Sequence, residues 1–342
     1  MVEARIEEPI VVTGATGFIG RRIIDRLVSA GYAPRALVLP DEAVPRAWAQ
    51  GVEIARGDVT DQASIEAALQ GSRTVVHLAA IVGDWGAEEL HQRVTVDGTA
   101  HVLRATAANG GRALLASSVV VYGDAIGRDV CSEEHPHGLA LGPYSRSKQA
   151  QERVAQELEA SQSLRVTIIR PANVYGPGSA PWVDSTVAQL RGGGPCLVGG
   201  GKQNAGLIYV DNLVDLFLGI AANPATVGRT YNACDDLDVT WKRYFSDLAE
   251  LCGAPRPKSI PRFVASIAAS LLECSYRLMR REQRPDITHE ALNLIGSNHR
   301  VPIGRARADV GFEPLVDYDA AMTAIATYID EVLPKPRTWT DS

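Results

Sequence analysis

The sequence predicts an α/β fold, a Rossmann-type doubly wound parallel sheet joined to a smaller, mostly helical C-terminal domain. Three observations predict it. Short apolar runs alternate with amphipathic stretches up to residue 170; the first run ends in the glycine-rich turn TGATGFIG; and beyond Arg170 the alternation gives way to Gly/Pro-rich loops and two helical stretches. At 342 residues the chain exceeds what one core usually supports, so two units are expected.

The segment PIVVTG reads as a buried strand because its apolar run is continuous. Ile19, Ile23, Ile24, Leu27 and Val28 then share one face of a helix. Apolar runs return at 35–39, 52–55, 74–78, 113–116 and 166–169, with helices expected over 61–69 and 97–109. Residues 171–206 are rich in Gly and Pro and predict loops around short elements, while 241–251 and 261–282 predict helices. The expected division is a first domain over 1–170, with 207–235 returning to it, and a second over 171–206 and 236–335.

Composition limits the function classes. Apolar residues make up 46% and charged residues 22%, and the net charge is −6, which argues against a broad nucleic-acid-binding face. Cys131, Cys196, Cys234, Cys252 and Cys274 show no CxxC and no His/Cys ligand spacing. No metal site is expected, and the thiols fit a reducing, cytoplasmic location. The first ten residues, MVEARIEEPI, are too acidic for a signal peptide.

A strand-to-helix turn built on Gly14, Gly17 and Gly20 admits positive φ, removes Cβ atoms that would block an incoming group, and exposes helix amides that favour negative charge. It suits a pyrophosphate, and its place at the head of an alternating fold favours that reading over a merely structural turn. A second constellation lies in GPYSRSKQAQERVAQ: a helix starting near Pro143 puts Tyr144 and Lys148 on one face. An ammonium near a phenol favours the phenolate, making the tyrosine a proton donor and acceptor. Upstream, ALLASSVVVYG ends a strand in two serines whose hydroxyls can hold a reacting carbonyl oxygen.

With these motifs the chain resembles the extended branch of the short-chain dehydrogenase/reductase superfamily. The resemblance rests on TGATGFIG, GDVTD, HLAA, SSVVVYG, YSRSK, RPANVYGPG and IYVDNLVD in that order. It implies an NAD(P)-dependent oxidoreductase in which Ser118 is the catalytic serine, Tyr144 the general acid/base, and Lys148 the residue that binds the nicotinamide ribose and tunes Tyr144. It also implies a cofactor site of Gly14, Thr16, Gly17, Phe18, Ile19, Asp58, Val59, Ala79, Ala80, Ser117, Tyr144, Lys148, Pro171 and Asn173, with Asp58 and Val59 beside the adenine. Members of this branch commonly pair through helices of the cofactor domain, so a homodimer is expected.

The sequence departs from the pattern at several places. Thr95 stands where asparagine is usual, which points to a change in a proton relay or in a helix kink. After the second strand come Val38, Leu39 and Pro40, then Asp41 and Glu42. An acidic residue there accepts hydrogen bonds from a free ribose 2′-hydroxyl, so Asp41 is assigned to the cofactor and NAD is favoured. NADP stays open, since Arg21, Arg22 or Arg46 can reach a phosphate.

For the substrate, the resemblance implies an arginine and an aspartate in nucleotide-sugar enzymes where Ala205 and Gly206 stand here, and a buried diphosphate without a cation is disfavoured. Asn173 matches an asparagine of sugar epimerases and keeps that alternative open. The C-terminal part, IPRFVASIAASLLECSYRLMRRE, resembles the 3β-hydroxysteroid and sterol dehydrogenase group, including relatives that reduce 3-keto acids. The expected substrate is therefore largely apolar, contacted by Ser118, Val82, Trp85 and Asn173. Arg262, Glu273 and Arg277 make this helix a poor membrane span; it covers a pocket, lies on a membrane surface, packs as core or forms a dimer contact.

Overall fold

Seven parallel strands form the central sheet in the order β10-β6-β5-β4-β1-β2-β3. The computed structural model describes residues 5–162 and 164–333; the outermost residues of the expected domains, 1–4 and 334–335, lie outside this range, as does residue 163. The strands are β1 (Ile10–Thr13), β2 (Arg35–Val38), β3 (Glu53–Arg56), β4 (Thr74–His77), β5 (Arg112–Ala116), β6 (Arg165–Pro171), β7 (Asn173–Tyr175), β8 (Pro195–Val198), β9 (Leu207–Tyr209), β10 (Thr230–Ala233) and β11 (Lys258–Ile260). The helices are α1 (Phe18–Ser29), α2 (Gln62–Ala68), α3 (Glu88–His91), α4 (Gly98–Ala108), α5 (Pro143–Gln162), α6 (Ser185–Arg191), α7 (Val210–Ala222), α8 (Trp241–Leu251), α9 (Arg262–Leu278), α10 (His289–Gly296), α11 (Gly304–Val310) and α12 (Tyr318–Val332).

Burial on both faces explains the continuous apolar strands. Ile10 and Val12 join Ile23, Ile24 and Leu27 of α1 and Leu213 and Phe217 of α7 in one core. Val11, between them, points to the other face, where it meets Ile65 of α2 and Val102 of α4. Leu103, Ala155 and Leu158 of α4 and α5 cover β5 and β6 on that same face. Between β1 and β4 the winding reverses, which opens a crevice at the carboxyl ends of the strands.

The second unit has its own core of Tyr175, Val187, Trp241, Tyr244, Leu248 and Ile325, built mainly from α6, α8 and α12. Two parallel pairs, β7 with β9 and β8 with β11, lead the chain between the units. The helix expected to run to residue 282 ends at Leu278, where Met279 caps it and Arg280 takes a φ of 50°. Its apolar stripe is not core: Phe263, Ile267 and Leu271 are exposed.

Candidate active site

The glycine turn is shaped by what its neighbours leave no room for. Gly14 has a φ of 65°, and a Cβ there would lie 3.0 Å from Ala79 N and 3.1 Å from the Leu78 carbonyl carbon, so the turn runs directly against the end of β4. A Cβ at Gly20 would collide with the Gly14 carbonyl, so the first turn of α1 presses onto the loop that starts it. Gly17 precedes α1 with no side-chain cap. A close-approach cradle with an uncapped helix N-terminus fits a dinucleotide pyrophosphate, which would sit at Gly14, Thr16 and Gly17. Phe18 and Ile19 are partly buried; Phe18 packs against the second unit's core and Ile19 against both cores.

At the end of β2 the structure corrects the expected carboxylate. Residues 39–42 form a tight turn, with Glu42 N donating to Leu39 O at 3.1 Å, which leaves Asp41 exposed at its tip. Glu42 reaches back: it accepts from Thr16 Oγ1 at 2.5 Å and from Leu39 N at 3.1 Å. Glu42, not Asp41, is thus tied to the glycine turn. Arg21 donates to Thr16 O at 2.8 Å, and Arg22 bonds Asp211 and Pro177 O. Arg56, which the sequence reading missed, holds the turn through the carbonyls of Leu39, Pro40 and Glu42 at 3.0, 2.7 and 3.2 Å.

Around the crevice, Asp58 accepts from Thr60 N at 2.8 Å, and Val59 packs so closely on α4 that a Cβ at Gly98 would lie 2.9 Å from its methyl. Ala79 and Ala80 follow β4, with Ala79 N donating to Thr13 Oγ1 at 3.2 Å. Thr95 lies in a π-helical turn, Gln92–Asp97, just before α4, and its hydroxyl accepts from Ile81 N at 3.0 Å. The residue that replaces asparagine therefore serves a kink and holds the loop after β4.

Ser118, just past β5, and Tyr144, in the first turn of α5, lie side by side, close enough for the serine to favour the phenolate. Lys148 lies one turn on, with Nζ 6.0 Å from the Tyr144 ring centroid. The ammonium donates to Ala116 O at 2.7 Å and Gln151 Oε1 at 2.9 Å. Burial pushes Tyr144 up to about 12, opposed by Ser118 and reinforced by the charge of Glu290. Burial also lowers Lys148 to about 7, with Glu152 opposing.

Behind Lys148 runs a buried row of polar groups. Gln151 Nε2 donates to Thr99 Oγ1 at 2.8 Å, Thr99 Oγ1 lies 2.9 Å from His77 Nε2, and His77 Nδ1 lies 2.7 Å from Thr13 Oγ1. Burial and the charge of Lys148 lower His77 to about 3, so it is neutral. Ser117 is a second correction, since its hydroxyl faces Glu152 Oε1 at 2.5 Å rather than the crevice. Arg170 grips the same carboxylate at 2.9 and 2.7 Å, and His137 Nε2 lies 2.8 Å away. Burial alone would raise Glu152, but the bonds from His137 and Arg170, with Arg170's charge, hold it at about 2.

The expected substrate residues divide. Pro171 closes β6, and Asn173 is buried with Nδ2 donating to Ala205 O at 2.7 Å, so its amide braces the chain between β7 and β9 instead of facing the crevice. Ala205 is fully buried. Gly206, at a φ of 54°, would place a Cβ 2.6 Å from the His299 Cβ. Val82 is 71% exposed. Trp85 donates to Arg281 O at 3.2 Å and stacks edge-on against Tyr276 at 6.2 Å, so the loop after β4 rests on the end of α9. Asp84 in that loop accepts from Arg284 at 2.5 and 2.7 Å and from Thr288. Glu290, which no sequence signal marked, accepts from Ser145 N at 2.9 Å, next to Tyr144.

The chain is similar to known proteins in sequence and in fold. A 2-alkyl-3-oxoalkanoate reductase from Shewanella oneidensis is 28% identical over 330 residues, covering 91% of this chain and 84% of that protein. Short-chain dehydrogenase/reductase family 42E member 1 from Danio rerio is 30% identical over 339 residues, covering 91% and 86%. Among solved structures, a dTDP-glucose 4,6-dehydratase from Streptomyces venezuelae with NAD bound shares the fold, with a TM-score of 0.74 at 21% identity over 94% of this chain and 97% of that one. The profile of the NAD dependent epimerase/dehydratase family matches residues 10–234. With the glycine cradle before α1 and Ser118 beside Tyr144, this chain belongs to the NAD dependent epimerase/dehydratase family and is an NAD-dependent enzyme of the extended short-chain dehydrogenase type.

Proposed function

We propose that the enzyme interconverts a ketone and a secondary alcohol on a largely apolar substrate of the 3-oxo/3-hydroxy acyl or 3-hydroxysteroid class. The observation that carries this reading is the wall at Ala205 and Gly206. One residue is buried and the other leaves no room for a side chain beside His299, so no cation stands there to neutralise a diphosphate. The names of the relatives, a 3-oxoalkanoate reductase among them, support the same substrate class.

When bound, nicotinamide supplies the hydride for reduction and accepts it in the reverse direction. Ser118 and Tyr144 donate hydrogen bonds to the substrate carbonyl oxygen, stabilising the negative charge that grows there. Tyr144 then passes its phenolic proton to that oxygen, so hydride on carbon and proton on oxygen complete the alcohol. A phenol held near 12 keeps its proton at neutral pH, which suits the reducing direction. Lys148, one helical turn away, offsets the phenolate charge left behind.

The second reading, epimerisation or dehydration of a nucleotide-sugar, draws on the shared fold of the dTDP-glucose dehydratase. Asn173, whose amide is committed to Ala205 O, lends it no support. The deciding experiment follows the absorbance of reduced nicotinamide with 3-oxo acyl compounds, 3-ketosteroids and nucleotide-sugars, with sugar products analysed separately. Net oxidation of cofactor by an apolar ketone is expected. Conversion of a nucleotide-sugar without net cofactor change would replace this reading with the second. A homodimer is part of the proposal, through the groove between α4 and α5, whose lining is mostly polar, with Arg104 and Glu157 beside Val96, Ala100, Val154 and Leu158; sedimentation velocity reads it directly.

A further inference from the structure

Helix α9 turns its apolar face away from the protein. It buries Ala265, Ala269 and Glu273, whereas Phe263, Ile267, Leu271 and Leu278 are 68%, 57%, 66% and 84% exposed. At about 100° of rotation per residue these four fall within one quadrant, a stripe along the whole helix. Val264 and Met279 widen it, being exposed as well.

Cations gather at both ends of the stripe. Arg256, Lys258 and Arg262 precede or open the helix, and Arg277, Arg280, Arg281 and Arg284 close or follow it. Over 256–284 seven cationic side chains stand against two acidic ones, in a chain whose net charge is −6. One of the two, Glu273, is buried and committed to Arg277 and His289. Among the described residues Arg280 and Arg281 form no ion pair.

From this juxtaposition we propose that α9 is a peripheral membrane-docking helix, lying in the plane of an anionic bilayer with Phe263, Ile267, Leu271 and Leu278 inserted below the headgroups and Arg280 and Arg281 among the phosphates, whereas Arg277 and Arg284 are already paired with Glu273 and Asp84. An exposed apolar stripe bounded by cations is the arrangement that an anionic interface rewards twice, by apolar burial and by charge. A second copy of the chain fits it poorly. With cations at both ends, parallel and antiparallel pairing of two α9 helices alike bring positive charge to positive charge. Spanning is excluded on length, since no described helix is long and apolar enough to cross a membrane.

The test is co-sedimentation of the full chain with vesicles of phosphatidylcholine alone and of phosphatidylcholine mixed with phosphatidylglycerol. The wild-type chain is expected to bind the mixed vesicles and release as salt is raised. Ile267→Glu/Leu271→Glu should lower the bound fraction at least about tenfold by removing inserted apolar surface. Arg280→Glu/Arg281→Glu should weaken binding and flatten its salt dependence. All four positions are exposed, and an unchanged thermal midpoint checks that each variant is folded. Absence of binding to mixed vesicles, or equal binding to both kinds, overturns the proposal. So does a lipid-free dimer that Ile267→Glu/Leu271→Glu converts to monomer, which would assign the face to a second copy.

Discussion

Glu290 of α10 accepts the backbone N–H of Ser145 at 2.9 Å, so a carboxyl from the C-terminal region sits on the first turn of the helix that carries Tyr144 and Lys148. Its second oxygen is buried with no hydrogen-bond partner among the described residues, in space that only a glycine at 142 leaves free. A helix N-terminus favours a carboxylate. Burial wins here, with Asp84's charge adding to it and the bonds from Ser145 and the charge of Arg146 opposing, and Glu290 is pushed up to about 8.

A carboxyl whose folded pKa exceeds its unfolded value contributes stability that is full at acid pH and is lost as pH rises through the folded pKa. The loss should therefore develop between pH 4.5, where an unperturbed carboxyl ionises, and about 8. Glu290→Gln keeps the acceptor for Ser145 and removes the charge. Its thermal midpoint should fall less than that of the wild-type enzyme between pH 5 and pH 8. Parallel profiles for the two proteins would refute the assignment.

Tyr144→Phe removes the proton donor and leaves the glycine cradle untouched. Turnover should drop by about 10²–10⁴-fold or more, while NADH still binds with nearly unchanged affinity by fluorescence titration. Retention of full activity would remove Tyr144 from the mechanism.

Glu42, fastened by Thr16 and Leu39, is the carboxylate placed to meet a ribose hydroxyl beyond β2. Glu42→Ala should shift the ratio of kcat/KM for NADH over NADPH towards NADPH by about tenfold, roughly the worth of one charged hydrogen bond. Asp41→Ala, at the exposed tip of the turn, should leave that ratio unchanged. The opposite ranking of the two variants would return the role to Asp41.

The pair Arg170–Glu152 is buried, with side-chain exposures of 5% and 0%. Arg170→Met strands the carboxylate and should cost about 3–5 kcal/mol in urea unfolding. Adding Glu152→Leu to it should recover most of the loss. A double variant no more stable than Arg170→Met alone would show that Ser117 and His137 depend on the pair for their own placement.

What could be read in the sequence was local. TGATGFIG carries its own reason for being a turn, and Pro143 at the head of α5 placed Tyr144 and Lys148 on one helical face. The strands of the sheet were legible because both faces are covered, leaving unbroken apolar runs. Contacts set at long range were not. Choosing between Asp41 and Glu42 required the sense of the turn at 39–42, and seeing that Ser117 turns from the crevice required knowing where Glu152 stands. Glu290 meets Ser145 across 145 residues of chain. For α9, periodicity reveals an apolar stripe whether it faces a core or a solvent, so only its neighbours say which way it points.

The buried row from Lys148 to Thr13 has a direction. Thr99 gives its proton to Thr95 O at 2.6 Å and so accepts from both Gln151 and His77 Nε2. That assigns the His77 proton to Nε2 and leaves Nδ1 to accept from Thr13, whose oxygen in turn takes the N–H groups of Leu78 and Ala79 at 3.2 Å each. Two runs of donors thus converge on Thr99 and end at a peptide carbonyl, with an amide in the path. Such a row is an insulator. It stiffens the ends of β1 and β4 against α5, and it closes the interior as a conduit, so the proton that Tyr144 gives up must be restored from the mouth of the crevice.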